Sequence, residues 1–165
     1  MSTLKTNAIT TVAGKPILNS TGSILQVVSN NTSATFTSTS TSYADAFSVT
    51  ITPTSASSKI YIECNALVCA DSWNGGPHYY ALRRGSTLLT SARYNNWAGS
   101  QGDTLGNTLC SALTYLDSPA TTASTTYNFS VATPSTSYTV SVNRSVNGST
   151  VPGSSSTITV FEISG

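Results

Sequence analysis

Along most of this chain, apolar side chains take every second position and hydroxyl side chains fill the places between. Ile60, Ile62, Cys64, Ala66 and Val68 form one such run, and Tyr127, Phe129 and Val131 form another. Successive side chains of an extended strand point to opposite faces, so this period builds half-buried β-strands. An amphipathic helix would need a repeat of about 3.6 residues, and no stretch of useful length has one. Phe47, Val49 and Ile51, then Leu109, Leu113 and Tyr115, then Tyr138, Val140 and Val142, and finally Ile158 and Val160 continue the strand pattern. In the last run Phe161 and Ile163 point the other way, which predicts a strand covered on both faces.

Serine and threonine make up about a third of the residues, and charged residues only 8%. Soluble domains carry roughly 25% charge, so hydroxyls on outward strand positions must do the wetting here. A chain of 165 residues fits one domain and can bury roughly 70% of its unfolded surface. With a formal net charge of +1 and no basic cluster beyond Arg83-Arg84, there is no electrostatic footprint for nucleic acid or for an anionic membrane. No run approaches the roughly 20 apolar residues of a spanning helix, so membrane insertion is not expected. The start, Met1 to Asn7, does not read as a signal peptide, and the three cysteines, Cys64, Cys69 and Cys110, are too few and odd in number for a disulfide framework. They read as buried thiols made in a reducing cytosol.

Residues 1–22 hold Leu4, Ile9, Val12, Ile17 and Leu18 with no sustained period, and end in the turn signal Asn19-Ser20-Thr21-Gly22. This segment reads as an extended arm that packs on a partner through those five apolar residues; a disordered terminus is the alternative. Residues 23–165 form the second unit. Turn chemistry at Thr52-Pro53, Asn74-Gly75-Gly76-Pro77, Asp117-Ser118-Pro119, Thr133-Pro134 and Val151-Pro152-Gly153 separates its runs. Shorter runs at 24–28, 33–37, 78–84 and 87–94 bring the total to eight to ten strands. The expected fold is all-β, a single antiparallel β-sandwich of jelly-roll type with an extended N-terminal arm. A fibronectin-like sandwich is the rival topology.

Candidate chemistry is sparse. The single histidine, His78, has no nucleophile elbow and no marked acid partner, so no catalytic residue is assigned. Cys64 and Cys69 lie an odd number of positions apart in one strand and face opposite ways, which argues against a zinc site; no metal or other cofactor is expected. The six carboxylates, Asp45, Glu63, Asp71, Asp103, Asp117 and Glu162, show no calcium loop and no recognisable glycosidase pair. The stretch from Asp71 to Asn107 differs from the rest: it carries both tryptophans together with tyrosines, amides and glycines. Trp73 and Trp97 could stack on sugar faces while Asn74, Tyr94 and Asn96 orient the hydroxyls. The structural alternative is that these rings fill the core or a subunit interface.

Several blocks together resemble a known group. They are Leu4-Lys5-Thr6-Asn7-Ala8-Ile9-Thr10, Gly14-Lys15-Pro16-Ile17-Leu18, Gly22-Ser23-Ile24-Leu25-Gln26-Val27-Val28, the run from Val49 to Ile60, Leu82-Arg83-Arg84-Gly85-Ser86-Thr87, Tyr115 to Thr122, Val142-Asn143-Arg144 and Ser156 to Ile163. In order and spacing the chain resembles tail-fibre-like virion proteins of marine and freshwater phages, including cyanophages. The resemblance covers nearly the whole chain and implies a non-enzymatic virion structural protein: a spike, fibre or capsid-decoration protein, assembled in the host cytoplasm, with a short attachment segment and a compact sandwich similar to trimeric knobs. Its partners would be itself, as a homotrimer, and other capsid or tail proteins. A three-fold assembly would also hide exposed sheet edges. The alternatives are a receptor-binding module that recognises host-surface glycan and a hydrolase of envelope polysaccharide.

Overall fold

A computed structural model describes residues 21–71, 77–95, 107–144 and 154–165. Within these residues the ordered elements are ten strands: β1 (Ile24–Thr32), β2 (Phe36–Ser38), β3 (Ala44–Ile51), β4 (Lys59–Asp71), β5 (Pro77–Arg84), β6 (Thr87–Asn95), β7 (Asn107–Asp117), β8 (Thr125–Ala132), β9 (Thr139–Val142) and β10 (Ser156–Ile163). They form two antiparallel sheets packed face to face as a β-sandwich.

The first sheet is built on β4, the longest strand at 13 residues. Along one side β7 pairs with it from Ile60 to Ala70. Along the other side β10 takes Lys59 to Asn65 and β9 takes Val68 to Asp71. Next to these lie β1, paired with β10, and β2, paired with β9. β9 and β10 are thus two pieces of one line, and β1 and β2 are two pieces of the line beside it. The second sheet has the order β3-β8-β5-β6. Except for the β5–β6 hairpin and the collinear pairs, every connection crosses from one sheet to the other.

The alternation in the sequence is the alternation of faces in the sandwich. Ile60, Ile62, Cys64, Ala66 and Val68 point inward from β4, joined by Val140, Val142, Ile158 and Val160. Opposite them stand Val49, Ile51, Tyr80, Leu82, Tyr127, Phe129 and Val131. Phe129 sits in the middle of the second layer, stacked on Phe47 at 5.1 Å between ring centroids and 6.2 Å from Tyr80. Removing a ring this deeply buried costs roughly 3–5 kcal/mol.

Parity alone would put Asp45 and Phe47 on one face, and a β-bulge resolves the conflict. The register of β3 against β8 shifts between Asp45 and Phe47, which turns Asp45 outward beside Ser130 while Phe47 enters the core. Similar shifts fall between Ile24 and Gln26 and between Leu82 and Arg83. β4 has no such shift against β7, so Cys64 and Cys69 do face opposite ways. Both are buried, Cys110 is exposed, and all three thiols are free. One expectation needs correction: β10 is not covered on both faces, because Phe161 and Ile163 are only half-buried on an outer face that also exposes Val27 and Leu116. His78, to which no catalytic role is assigned, is fully buried at the start of β5, an interior strand.

Candidate functional site

The two ends of the sandwich differ in chemistry, and the register shows which residues meet at each. Lys59, Ile163, Ile24 and Asp117 lie at one end of the first sheet. Arg84, Thr87, Ile51 and Thr125 lie at the same end of the second. Here the described chain begins and finishes: Gly22 N–H donates to the Ser164 carbonyl at 2.8 Å, and Ser164 N–H donates back to the Ser23 carbonyl at 2.8 Å. Gly22 adopts φ +87° at this entry, a conformation that glycine tolerates best.

Two buried carboxylates pin this terminal end. Glu162 is fully buried on the inner face of β10. It accepts hydrogen bonds from Gln26 Nε2 at 2.6 Å, from Thr54 N–H at 2.7 Å and from Thr54 Oγ1 at 2.7 Å. Burial pushes its pKa up, but these donors, with the Ser58 hydroxyl lying close by, outweigh burial and hold the carboxyl at about 2. A carboxylate served by several donors favours its charged form. Asp117, at the end of β7, accepts from Arg84 Nη1 at 3.0 and 2.8 Å and from the Tyr127 hydroxyl at 2.8 Å, tying the two sheets together. Burial first, then the neighbouring Asp117 carboxylate, raises the Tyr127 phenol well above its ordinary value.

At the opposite end stand the strand termini that flank 72–76 and 96–106. Ala70 pairs with Asn107 in the first sheet, and Pro77 pairs with Asn95 in the second. β4 and β7 are neighbours, and so are β5 and β6; both connections are therefore anchored on adjacent strands at each of their ends. Trp73, Asn74, Asn96 and Trp97 lie outside the described residues. Tyr94 falls in β6, opposite His78. Thr133 braces this end: its Oγ1 lies 3.2, 3.1 and 2.9 Å from the Thr39, Ser40 and Ser135 carbonyl oxygens, which share its one hydroxyl proton. His78 meets Tyr138 edge-on at 6.2 Å between centroids.

Leu4, Ile9, Val12, Ile17 and Leu18 also lie outside the described residues; the structure shows where the chain they precede joins the sheet, at Gly22. Asp45 is held by Arg83 at 2.9 Å and by Ser130 Oγ at 2.5 Å, so Asp45, Asp117 and Glu162 each serve a structural contact. Among the described residues no group of three or more His, Cys, Asp or Glu side chains is placed to hold a metal ion. No described helix is long and apolar enough to cross a membrane.

Sequence reasoning did not single out Glu162 or the row Val27, Phe161, Tyr61 and Leu116 on the outer face. Both carried a parity signal. Glu162 shares the inward parity of Ile158 and Val160, and Tyr61 and Phe161 occupy the polar parity of their strands.

These features define a two-sheet antiparallel β-sandwich with one terminal end and one loop-bearing end. No protein-family model matches the chain, and no curated protein matches it in sequence. Among solved structures it is similar to the infectious bursal disease virus VP2 subviral particle, at 13% identity and a TM-score of 0.38, over 87% of this chain. The match spans 38% of that viral chain, well under half its length.

Proposed function

We propose that this is a non-enzymatic structural protein of a virus particle, a homotrimeric spike, fibre or capsid-decoration protein attached through residues preceding the sandwich. The observation that carries the reading is the polarity of the fold. The N-terminal segment joins the sheet at Gly22, beside the last strand, while the two connections with both tryptophans are anchored at the far end. A domain held at one end and presented at the other needs this arrangement. The jelly-roll reading is supported by the strand order. With β1 and β2 taken as one strand, and β9 and β10 as another, eight strands fall into two four-strand layers and change layer at every connection except the β5–β6 hairpin, as in two Greek keys. Low surface charge supports association of copies, since little repulsion opposes it.

Glycan recognition at the loop-bearing end is a second reading, favoured by the adjacent anchoring of 72–76 and 96–106. Loops on a rigid scaffold are where binding residues collect. Two measurements test these readings. Light scattering coupled to size exclusion should give the mass of three chains or a multiple of it, and a monomer at micromolar concentration overturns the trimer. Trp73→Ala and Trp97→Ala should abolish binding to host cells or their surface polysaccharide while leaving the melt nearly unchanged. Variants that unfold, with no glycan bound by the parent protein, return those rings to a structural role.

A further inference from the structure

The outer face of the first sheet is polar over most of its extent. Ser29, Thr159, Glu63 and Thr114 form one cross-strand row, and Asn31, Thr157, Asn65 and Ala112 form the next. Towards the terminal end the character changes. Val27 stands opposite Phe161, Phe161 opposite Tyr61 and Tyr61 opposite Leu116, so one apolar row crosses all four strands. Ile24 and Ile163 extend it in the following row, beside Lys59. The Tyr61 and Phe161 rings are 5.9 Å apart at the centre. Ile24, Val27 and Leu116 are 60%, 53% and 49% exposed, three of the four most exposed large apolar side chains among the described residues. Scattered exposed apolar side chains need no explanation, but a contiguous patch marks a contact.

The charges on this face are placed symmetrically about that row. Lys59 lies two residues before Tyr61 and Glu63 two residues after, both exposed, and neither has an ion-pair partner among the described residues. We propose that two copies of this chain pair face to face through this surface, about a two-fold axis running along the row Val27–Phe161–Tyr61–Leu116. Such an axis reverses β4 of one copy over β4 of the other. It sets each apolar row against its counterpart and Lys59 of each copy against Glu63 of its partner. The alternative axis, along the strands, sets Glu63 against a hydroxyl residue and leaves both charges unmatched. Sheets packed face to face lie about 10 Å apart with strands aligned to within about 30°, a spacing that long side chains such as tyrosine, lysine and glutamate span.

The size of the surface fits. Four strands about 4.8 Å apart and three outward rows about 6.8 Å apart cover a projected area on the order of 400 Å². With side-chain relief the accessible area comes to the small end of specific interfaces, roughly 500–600 Å² per partner. The apolar row forms the centre, and Lys59, Glu63 and the hydroxyl row form the polar rim.

This contact is separate from the three-fold association proposed above, and one set of measurements distinguishes them. The mass of the full chain is measured by light scattering, alone and in the variants Lys59→Glu, Glu63→Lys and the double exchange. Two chains support the pairing without the trimer, and six chains support both. A mass of three or one overturns the pairing and gives the face to another occupant, the N-terminal segment or a different virion protein. Each single exchange places two like-charged contacts across the axis and should weaken pairing at least about tenfold, halving the mass. The double exchange should restore it. Because both side chains are exposed, the variants keep the fold, which a thermal melt checks. Single exchanges that melt normally and keep the parent mass overturn the proposal, as does a double exchange that fails to recover it.

Discussion

Glu162 shows how a side chain that breaks the pattern is made stable by its neighbours. It sits where parity demands an apolar residue, and it is tolerated because Gln26 and Thr54 bring three hydrogen bonds to its carboxylate. Its carboxyl is held at about 2 against an ordinary 4.5, so folding favours the ionised form. The stability this supplies is complete above pH 4.5 and drains away as pH falls towards 2. The carboxylate is covered but shallow, and water screens part of the effect, which leaves on the order of 1–2 kcal/mol. Urea titrations of the parent chain should therefore lose stability between pH 5 and pH 2. Glu162→Gln should cost about 1–3 kcal/mol at neutral pH and lose that acid-dependent component; an unchanged acid profile would locate the titrating group elsewhere. The thiols give a second outcome at this scale. Cys64, pushed up to about 12 by burial, and buried Cys69 should resist a thiol reagent in the folded protein, whereas exposed Cys110 should react promptly. A count of one fast thiol by absorbance, rising to three in denaturant, checks this. Melts with and without reductant should coincide, because no bridge holds the fold.

At the scale of elements, the decisive junction is where the line β9–β10 breaks. The chain leaves it after Val142 and re-enters at Ser156, opposite the gap between β1 and β2. Such a break strands backbone groups that the ladder would have paired. Asn143 serves them: its Nδ2 donates to the Thr32 and Ala34 carbonyls at 2.9 and 3.2 Å, and its N–H donates to the Leu67 carbonyl at 3.0 Å. Its Oδ1 accepts from Ser156 Oγ at 2.7 Å, and that same hydroxyl oxygen accepts the Leu67 N–H at 3.1 Å. The residue is 1% exposed and adopts φ +55°, a left-handed conformation that asparagine tolerates better than most residues. Asn143→Gly should cost about 2 kcal/mol by removing the side-chain bonds, and Asn143→Ala about 1 kcal/mol more because a Cβ without a local hydrogen bond strains that backbone. Chemical denaturation of the pair tests the order; equal losses would mean that the backbone conformation carries no cost. Before the structure, Asn143 is one more asparagine in a hydroxyl-rich stretch. Its role exists only once β1, β4 and β10 converge on it.

For the whole molecule, the described sheet begins its pairing at Gly22, the last residue of the segment read as an arm. A chain starting at Thr21 should accordingly keep its far-UV β signal and melt within a few degrees of the parent, yet fail to enter particles. Loss of the β signal would show that residues 1–20 belong to the core. The strands, their inward faces and the hydroxyl coat were legible in the sequence, because period 2 is a local property: each residue's face follows from its neighbours alone. Ile60 to Val68, Tyr127 to Val131 and Val140 to Val142 all point where that rule sends them. Bulges were illegible, since a single extra residue such as Ala46 resets the parity without leaving a composition signal. Partners across the sandwich were illegible as well. Nothing near Glu162 in sequence announces Gln26 or Thr54, and nothing near Lys59 announces that Val27, Phe161 and Leu116 share its outer face. The sequence by itself thus determined the kind of element and the side each residue takes, through alternation and turn chemistry. Only the tertiary structure decided which strands are neighbours, which end carries the terminus and which the loops, and where buried charge finds its donors, because those depend on contacts between residues far apart in the chain, from 33 positions for Arg84 and Asp117 to 136 for Gln26 and Glu162.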